Sequence, residues 1–304
     1  MLSYKNVIDN VRAFRTFTGF DKQEFEKLLV PFQHAWNVYI ENTHIKGKKR
    51  QRKYGGGRKA TLATIEDKLF FILCYLKIYP LQEVLAFLFD MSQGQANTWL
   101  HKLSHILKMA LEDTQHVPTR SPEKVKELLE ACLSVECIID GTERRRQRPH
   151  DPEQQQKYYS GKKKAHTYKN NLLIDLHERK IHYLSQTYEG KKHDKAICDE
   201  EPLLFPRGSI LFKDTGFQGY EPEGIQTCQP KKKPRGRELT AEEKASNTMI
   251  SSVRIVVEHV LAGVKRCRIV KDVFRNTKAL FDDLVMEIAC GLHNVRVAYR
   301  YAKP

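Results

Sequence analysis

Apolar residues recur at helical spacing through the first third of the chain. Residues 1–45 are predicted to form short helices, and FDKQEFEKLLVPFQHAWNVYI places Phe25, Leu28 and Phe32 on one face after a cap at Asp21. The most apolar window, LFFILCYLKIYPLQEVLAFLF, is interrupted by lysine, proline and glutamate. It is therefore predicted to form packed helices and not a membrane span.

A helix, a short turn and a second helix are predicted within residues 61–107. After TIEDKLFFILCYLKIY, the segment LQEVLAFLF precedes the turn DMSQG and the helix QANTWLHKLSHIL. This order is typical of a helix-turn-helix DNA-binding unit, although many such pairs are only packed helices. The polar start of the later helix favours DNA binding, because Gln95 and Asn97 carry side chains that can pair with adenine edges.

From about residue 119 the pattern changes to that of strands. LSVECIID alternates from Leu133 onwards, which predicts a strand that ends at Asp140 before a glycine turn. TYKNNLLIDLH and KIHYLSQTYEG predict two more strands joined at ERK. GSILFKD predicts a further strand that ends at Asp214, again before a glycine-rich turn.

Helices alternate with these strands. HDKAICDEEPLL predicts a helix with Asp194 as its N-cap, and SSVRIVVEHVLAGVKRCRIV predicts a long helix after a capping box at Thr240 and Glu243. Strands and helices in this order predict an α/β layer built around one sheet. We therefore predict two domains, a helical DNA-binding region over residues 1–118 and an α/β domain over residues 119–304.

The positive charge of the chain indicates what kind of partner it binds. The 304 residues carry a net charge of +15, and the cations are concentrated in KGKKRQRKYGGGRK, RRRQR, GKKK and KKKPRGR. Clustered cations indicate an anionic partner, with nucleic acid first and an anionic membrane second. The glycine-bearing stretch 46–60 is predicted to be a flexible basic linker that lies along phosphates.

Seven scattered cysteines are interpreted as reduced core thiols. They include no Cys-x-x-Cys pair, so a structural zinc site of the usual spacing is not expected. The N-terminus lacks the basic-then-apolar plan of a signal peptide. These features predict a cytoplasmic protein.

Two aspartates stand at the ends of predicted strands. Asp140 and Asp214 each follow an apolar strand and precede a small-residue turn. Taken singly, each is more simply a turn residue. Strands of one sheet deliver their ends to one edge, however, which is where sites form in open α/β sheets.

A third carboxylate lies on the long predicted helix. Arg254, Glu258 and Lys265 fall within a narrow arc beside an apolar stripe, so they are expected at the rim of the sheet. A solvated Arg254–Glu258 pair is the simpler interpretation for an isolated helix. Three carboxylates together, however, are suited to Mg²⁺, which takes oxygen ligands and keeps water and phosphate in its shell.

The chain resembles bacterial insertion-sequence DDE transposases of the Harbinger-like branch, which carry an N-terminal helix-turn-helix. The resemblance covers nearly the whole chain. It rests on GGGRKATLATIEDKLFFILCYLKIYP, DGTERRRQRP, YYSGKKKAHTYKNNLLID, GKKHDKAI, KDTGFQGY and VRIVVEHVLAGVKR. It implies an RNase H-like catalytic domain, a mixed sheet with flanking helices, behind a smaller all-α helix-turn-helix domain.

The same resemblance implies roles for particular residues. The catalytic and metal-binding residues are expected to be Asp140, Asp214 and Glu258. Related transposases carry Tyr-x2-Arg-x3-Glu-x6-Lys on the helix of the glutamate, and here Ser251 stands in place of the tyrosine. The implied role of Arg254 and Lys265 is contact with phosphate at the transposon end.

Residues outside this set receive weaker assignments. Lys164, Arg144 and Arg145 are expected to contact DNA, because they crowd the region after Asp140. Asp194 has two interpretations, an auxiliary contact at the active site and a helix cap, and capping is favoured. Asp175 is interpreted as structural.

We therefore predict a transposase that binds the terminal inverted repeats of its element, cleaves DNA and joins the 3′-OH ends to target DNA. It would use divalent metal, a pair of Mg²⁺ ions for which Mn²⁺ can substitute. Its partners would be DNA and a second copy of itself, as a homodimer or higher assembly, with no membrane and no small-molecule substrate. The alternatives are a DNA-binding repressor or inactivated relative, and a nuclease that cuts without joining.

Overall fold

The computed structural model describes residues 1–47, 55, 57, 60–132, 135–233, 236 and 238–301. Most of the predicted basic linker 46–60, and Leu133 and Ser134 of the first predicted strand, lie outside the described residues. The chain divides into two compact units. The first comprises Met1–Val117, Lys265–Asp272 and Leu284–Leu292, and the second comprises Pro118–Val264, Val273–Asp283 and His293–Pro304.

The first unit is helical. Its helices are α1 (Tyr4–Val7), α2 (Val11–Thr18), α3 (Lys22–Ile40), α4 (Ile65–Ile78), α5 (Gln82–Leu88) and α6 (Gln93–Asp113), with a π-helical turn at Glu41–Ile45. Asp21 caps α3 as predicted, because its side chain accepts from Glu24 N while the Glu24 side chain accepts from Asp21 N. This reciprocal pair satisfies two amides that the helix leaves open.

The helices α5 and α6 and the turn between them form the predicted helix-turn-helix pair. Ser92 and Gln95 close a second capping box, which fixes the start of α6 after the turn. Leu100 and Leu103 are buried, and Trp99 is half-buried and stacks on Trp36 with ring centroids 6.1 Å apart. The exposed side of the first turns of α6 is polar.

A buried lysine holds the start of α4. Lys68 is only 7% exposed, and its Nζ donates to the carbonyl oxygens of Leu62, Ala63 and Thr64 at 2.8, 3.1 and 3.1 Å. The ammonium also lies 4.9 Å from the centroid of the Trp36 ring. Burial lowers the pKa of Lys68. Three carbonyls and an aromatic face together replace the water that the charge gives up.

Replacing this ammonium is expected to weaken the helical unit. Lys68→Met keeps the length of the side chain but removes the three hydrogen bonds, so the free energy of unfolding should fall by about 1–3 kcal/mol. Urea unfolding followed by circular dichroism measures the loss. Lys5→Met, at an exposed lysine of the same unit, is the control. Equal stability of the two variants would contradict this role for Lys68.

The second unit is built on a sheet. Its strands are β1 (Glu136–Arg145), β2 (Tyr159–Ser160), β3 (Ala165–Asp175), β4 (Ile181–Leu184), β5 (Tyr188–Glu189), β6 (Ile210–Lys213) and β7 (Gln226–Cys228). The order is β2-β3-β1-β6-β7, and β4 and β5 also pair with β3. The pairs β1–β3 and β3–β4 are antiparallel, while β1–β6 and β6–β7 are parallel.

Helices flank this mixed sheet. They are α7 (Glu123–Glu130), α8 (Pro152–Tyr158), α9 (Asp194–Glu200) and α10 (Ala241–Val264), with a 3₁₀ turn at Thr215–Phe217. The capping box predicted at Thr240 and Glu243 is present at the start of α10. Two further helices follow along the chain. The short helix α11 (Arg268–Lys271) belongs to the first unit, and the 21-residue helix α12 (Phe281–Tyr301) has residues in both units. The structure confirms the predicted α/β class, an RNase H-like mixed sheet with a separate helical region.

One apolar core lies between α9 and its side of the sheet. Cys137 and Ile139 of β1, Leu173 of β3 and Leu211 of β6 pack there with Cys198 of α9. Alternate residues of a strand face opposite sides. Asp140 therefore faces away from α9, and Gly141 faces toward it.

Two details of the predicted elements are wrong. The strand does not end at Asp140 and no turn follows at Gly141, because β3 is long enough to pair with β1 continuously as far as Arg145↔Thr167. Asp194 is not a cap. It is the first residue of α9, whose N-cap position is held by His193 without a side-chain hydrogen bond.

Candidate active site

The register of two parallel strands brings the two aspartates together. The paired residues of β1 and β6 end with Ile139↔Lys213. Asp140 and Asp214 are each the next residue, so they occupy neighbouring positions in strands that lie about 4.8 Å apart. Asp140 and Asp214 are thus neighbours at the point where β6 ends. Only β6 ends there, since β1 itself continues.

The helix α10 adds a third carboxylate. Its apolar stripe is buried at Ile250, Val257, Val260 and Val264, while Arg254 and Glu258 are exposed. A small cavity of about 20 Å³, enough for one water-sized species, opens among these elements. Its walls are formed by Ile138, Ile139, Asp140, Asp214, Arg254, Val257 and Glu258.

Asp140 has a pKa above the usual range of an aspartate. Burial raises its pKa to about 6, the charges of Asp214 and Asp194 add to this rise, and the Gly141 amide and Arg254 oppose it. The cavity is lined by three carboxylates and one cation, Arg254, so its negative charge exceeds its positive charge. A bound cation is the natural complement of such a site.

Asp214 is held by its own surroundings. Its Oδ1 accepts from the Thr215 amide at 2.6 Å and its Oδ2 lies 3.2 Å from Arg254 Nη2. Its main-chain oxygen accepts from Gln229 Nε2 at 2.7 Å. These contacts fix the carboxylate at the mouth of the cavity. They also pair the guanidinium of Arg254 with Asp214, whereas the sequence suggested Glu258 or phosphate as its partner.

The donor set fits a hard divalent metal ion. All three acids that face the cavity offer carboxylate oxygens, which Mg²⁺ and Mn²⁺ prefer, and no cysteine or histidine is among the residues that line this described cavity. Burial, the largest cause of the raised pKa of Asp140, leaves its charged form poorly solvated, and a cation bound beside it would compensate for this. Asp140, Asp214 and Glu258 are the residues that could hold metal here.

Asp194 lies against the two glycines that follow the aspartates. A Cβ at Gly141 would come within 2.5 Å of Asp194 Oδ1, and one at Gly216 within 3.0 Å of Asp194 Oδ2. Lys169 Nζ lies 3.3 Å from the same carboxylate. The sequence favoured a capping role and so missed this position, although the motif GKKHDKAI gave a signal for it.

The arginines after Asp140 differ from one another. Arg144 is only 3% exposed, and its guanidinium donates to the main-chain oxygen of Asp282 and to the side chains of Asn170 and Thr187. The expectation that Arg144 contacts DNA is therefore wrong. Arg144 is buried because successive side chains of a strand point to opposite sides, which turns residue 144 inward and leaves Arg145 exposed.

The remaining predicted DNA contacts are placed as follows. Lys164 is exposed and has a φ of +48° in the turn before β3. Lys265 is half-buried, directly follows the last residue of α10 and belongs to the first unit. In α6, Gln95 is exposed but its side chain closes the capping box, and Asn97 Nδ2 donates to Gln82 Oε1 at 3.0 Å. Both would have to leave these bonds to reach bases.

The fold and the acids define the class of the protein. Residues 139–294 match the model of the DDE superfamily endonucleases, and residues 60–113 match the helix-turn-helix of the same superfamily. The chain belongs to the DDE superfamily of endonucleases, as an insertion-sequence transposase with an N-terminal helix-turn-helix, and enzymes of this superfamily use divalent metal ions.

A curated relative agrees with this assignment. The chain is 26% identical over 290 residues to the probable transposase for insertion sequence element IS702 of Microchaete diplosiphon. The matched region covers 95% of this chain and 96% of the relative. No solved structure matches the chain. Across the described part of the chain, the helices are too short or too polar to cross a membrane.

The raised pKa of Asp140 predicts a pH-dependent stability. Because the folded protein binds this proton more tightly than the unfolded chain, stability falls as the pH rises from about 4 to about 6 and the cost is complete at pH 7. Asp140→Asn should therefore raise the free energy of unfolding at pH 7.5 in metal-free buffer, by about 1–3 kcal/mol.

Urea unfolding at pH 7.5 and pH 5 tests this expectation. The gain should be smaller at pH 5, where Asp140 already carries a proton for much of the time. Asp9→Asn, at an exposed aspartate, should show no gain at either pH. A loss of stability in Asp140→Asn at pH 7.5 would contradict the electrostatic cost.

The contact between Gly141 and Asp194 predicts a second effect. Gly141→Ala places a methyl group against the carboxylate, so it should destabilise the protein by about 1–3 kcal/mol. Thermal unfolding measures the loss, and Gly161→Ala is the control because nothing lies within 4 Å of its added Cβ. If the clash is with Asp194, adding Asp194→Ala should recover part of the loss. An additive double variant would refute the contact.

Proposed function

We propose that this transposase binds the terminal inverted repeats of its element, cleaves the DNA there and transfers the freed 3′-OH end to target DNA. The proposal is carried by one observation: Asp140, Asp214 and Glu258 line the same small cavity. These residues are far apart in sequence, yet two parallel strands and one helix bring their carboxylates together. Family membership supports an endonuclease, and joining of ends is the further step that we propose.

The three acids would hold divalent metal, Mg²⁺ with Mn²⁺ as a substitute. Divalent ions held there would activate the attacking oxygen and stabilise the leaving one. Water attacks the phosphorus during cleavage and releases a 3′-hydroxyl. In strand transfer that hydroxyl attacks a phosphodiester of target DNA, so one P–O bond forms as another breaks and no co-reactant is consumed.

The protein's own side chains prepare this chemistry. The Thr215 amide and Arg254 fix the two oxygens of Asp214 before any ligand arrives. The buried stripe of α10 packs inward, and Glu258 lines the same cavity as Asp140 and Asp214. Such positioning lets the acids bind in one geometry, which is how an enzyme avoids reorganising at the moment of reaction.

Phosphate contacts would come from cations around the site. Arg145 and Lys164 are exposed, and we assign them to the DNA backbone together with Lys265. Arg254 is 45% exposed and binds Asp214 through one nitrogen, so its remaining donors can meet a phosphate oxygen. These contacts position DNA and carry no sequence information.

Sequence recognition is assigned to the helical region within residues 1–118. Its α6 would enter the major groove with its exposed polar face. Gln95 and Asn97 are proposed to exchange their internal bonds for base edges. Because two element ends must be brought together, we propose that the active form on DNA is a dimer or a larger assembly of this chain.

Charge-neutral substitutions of the three acids test the function. Asp140→Asn, Asp214→Asn and Glu258→Gln should each lower cleavage and joining of DNA carrying the flanking repeats by about a hundredfold or more, because each removes a carboxylate ligand. Repeat binding should stay near that of the unmodified protein. The assay uses labelled repeat DNA with Mg²⁺ or Mn²⁺, and gels separate nicked from joined products.

Asp199→Asn is the matched control, since Asp199 is an exposed acid of α9 in the same unit that pairs with Lys195. It should cut and join normally. Full activity of Asp140→Asn would refute the assignment of the site. Cutting without joining would favour a nuclease, and repeat binding without cutting in either metal would favour a repressor.

A further inference from the structure

A second group of ligand-type side chains lies in the sheet unit outside the acid cavity. Cys132 follows the end of α7, Asp175 is the last residue of β3 and His182 lies in β4. One ligand atom from each of the three lies within 4.8 Å of the others. The His182 Nε2 atom is 3.8 Å from Asp175 Oδ2 and 3.9 Å from Cys132 Sγ.

The hydrogen bonds within this group are weak, although the Cys132 thiol also donates to the main-chain oxygen of Leu128 at 3.4 Å. Both contacts use the same Nε2 atom, which carries at most one proton and so cannot donate to the sulfur and the carboxylate together. Both distances are also long for hydrogen bonds of these atoms. Three different ligand types thus converge on one point without a strong bond among them.

The spacing fits a tetrahedral metal ion. Zinc bonds of about 2.0–2.3 Å place neighbouring ligand atoms about 3.3–3.7 Å apart. The two shorter separations here exceed that range by only a few tenths of an ångström. Cysteine and histidine favour zinc over Mg²⁺, whose preference for oxygen suits the acid cavity instead.

The surroundings already hold the ligands in place. Asp175 Oδ1 accepts from the amides of His177 and Glu178 at 2.8 and 2.6 Å, which directs Oδ2 to the cluster. The His182 side chain is 6% exposed, and its main-chain oxygen accepts from Thr119 N. Cys132 is only half-buried and leaves an approach for an ion.

We propose that Cys132, Asp175 and His182 bind a zinc ion with a structural role, with water as the fourth ligand. Binding forms bonds from Sγ, Nε2 and Oδ2 to the ion, and the thiol proton passes to solvent. The ion would join the chain after α7 to the β3–β4 hairpin. It is separate from the acid cavity, because Asp175 pairs with Cys137 whereas Asp140 pairs with Leu172, about 10 Å further along the sheet.

Zinc content of the purified full chain tests the proposal. Protein produced with added zinc and passed through a desalting column should retain about one zinc per chain by mass spectrometry. Cys132→Ser and Asp175→Asn should each lower the zinc occupancy about tenfold or more at limiting zinc. Asn keeps the Oδ1 acceptor for the turn amides, so Asp175→Asn separates lost binding from lost folding, with circular dichroism as the check.

Two controls localise the ion. Cys228→Ser changes another half-buried thiol of the same unit, and Asp140→Asn changes the acid cavity, and both should keep their zinc. Cobalt substitution should give a thiolate charge-transfer band in the near ultraviolet that Cys132→Ser lacks. Unmodified protein without zinc or a cobalt band, or a Cys132→Ser variant that keeps its zinc, would overturn the proposal whatever the outcome of the DNA assays.

Discussion

The candidate site depends on the parallel pairing of β1 with β6. That pairing fixes which residues are neighbours when β6 ends, and the neighbours are Asp140 and Asp214. A shift of one residue in this register would turn one carboxylate to the opposite face of the sheet. The antiparallel pairing of β1 with β3 runs unbroken from Cys137 to Arg145 and holds the β1 side of this arrangement in place. The two aspartates are therefore positioned by strand pairing, and Glu258 by the packing of α10.

The same arrangement has an electrostatic cost. Burial of Asp140, together with the charges of two nearby aspartates, raises its pKa, and the Gly141 amide and Arg254 offset only part of the effect. The packing of α10 and the sheet must supply the free energy that keeps these groups together. Functional sites commonly sacrifice stability in this way, since the groups that bind a ligand repel one another without it.

The sequence alone was sufficient for much of this architecture. Local patterns predicted the caps at Asp21 and Thr240, the helix-turn-helix and the order of strands, because each depends on residues near in sequence. The length of β1 and the burial of Arg144 depend on β3 and on residue 282, which no local pattern reveals. The grouping of Cys132 with His182 also required the fold, since 50 residues separate them.

Gly141 in β1 and Gly216 in the 3₁₀ turn after β6 have a shared consequence at the site. Where other residues would insert a side chain, only main chain separates the Asp194 carboxylate on the α9 side from the acids on the α10 side. Few atoms therefore separate the two faces of the sheet at this point. A charge on the α9 side acts on the acids on the α10 side. Changes in α9 can tune the acid–base behaviour of the site while every residue that lines the cavity stays the same. Substitutions in α9, on the face of the sheet opposite the cavity, are thus one way in which the activity of this chain can evolve.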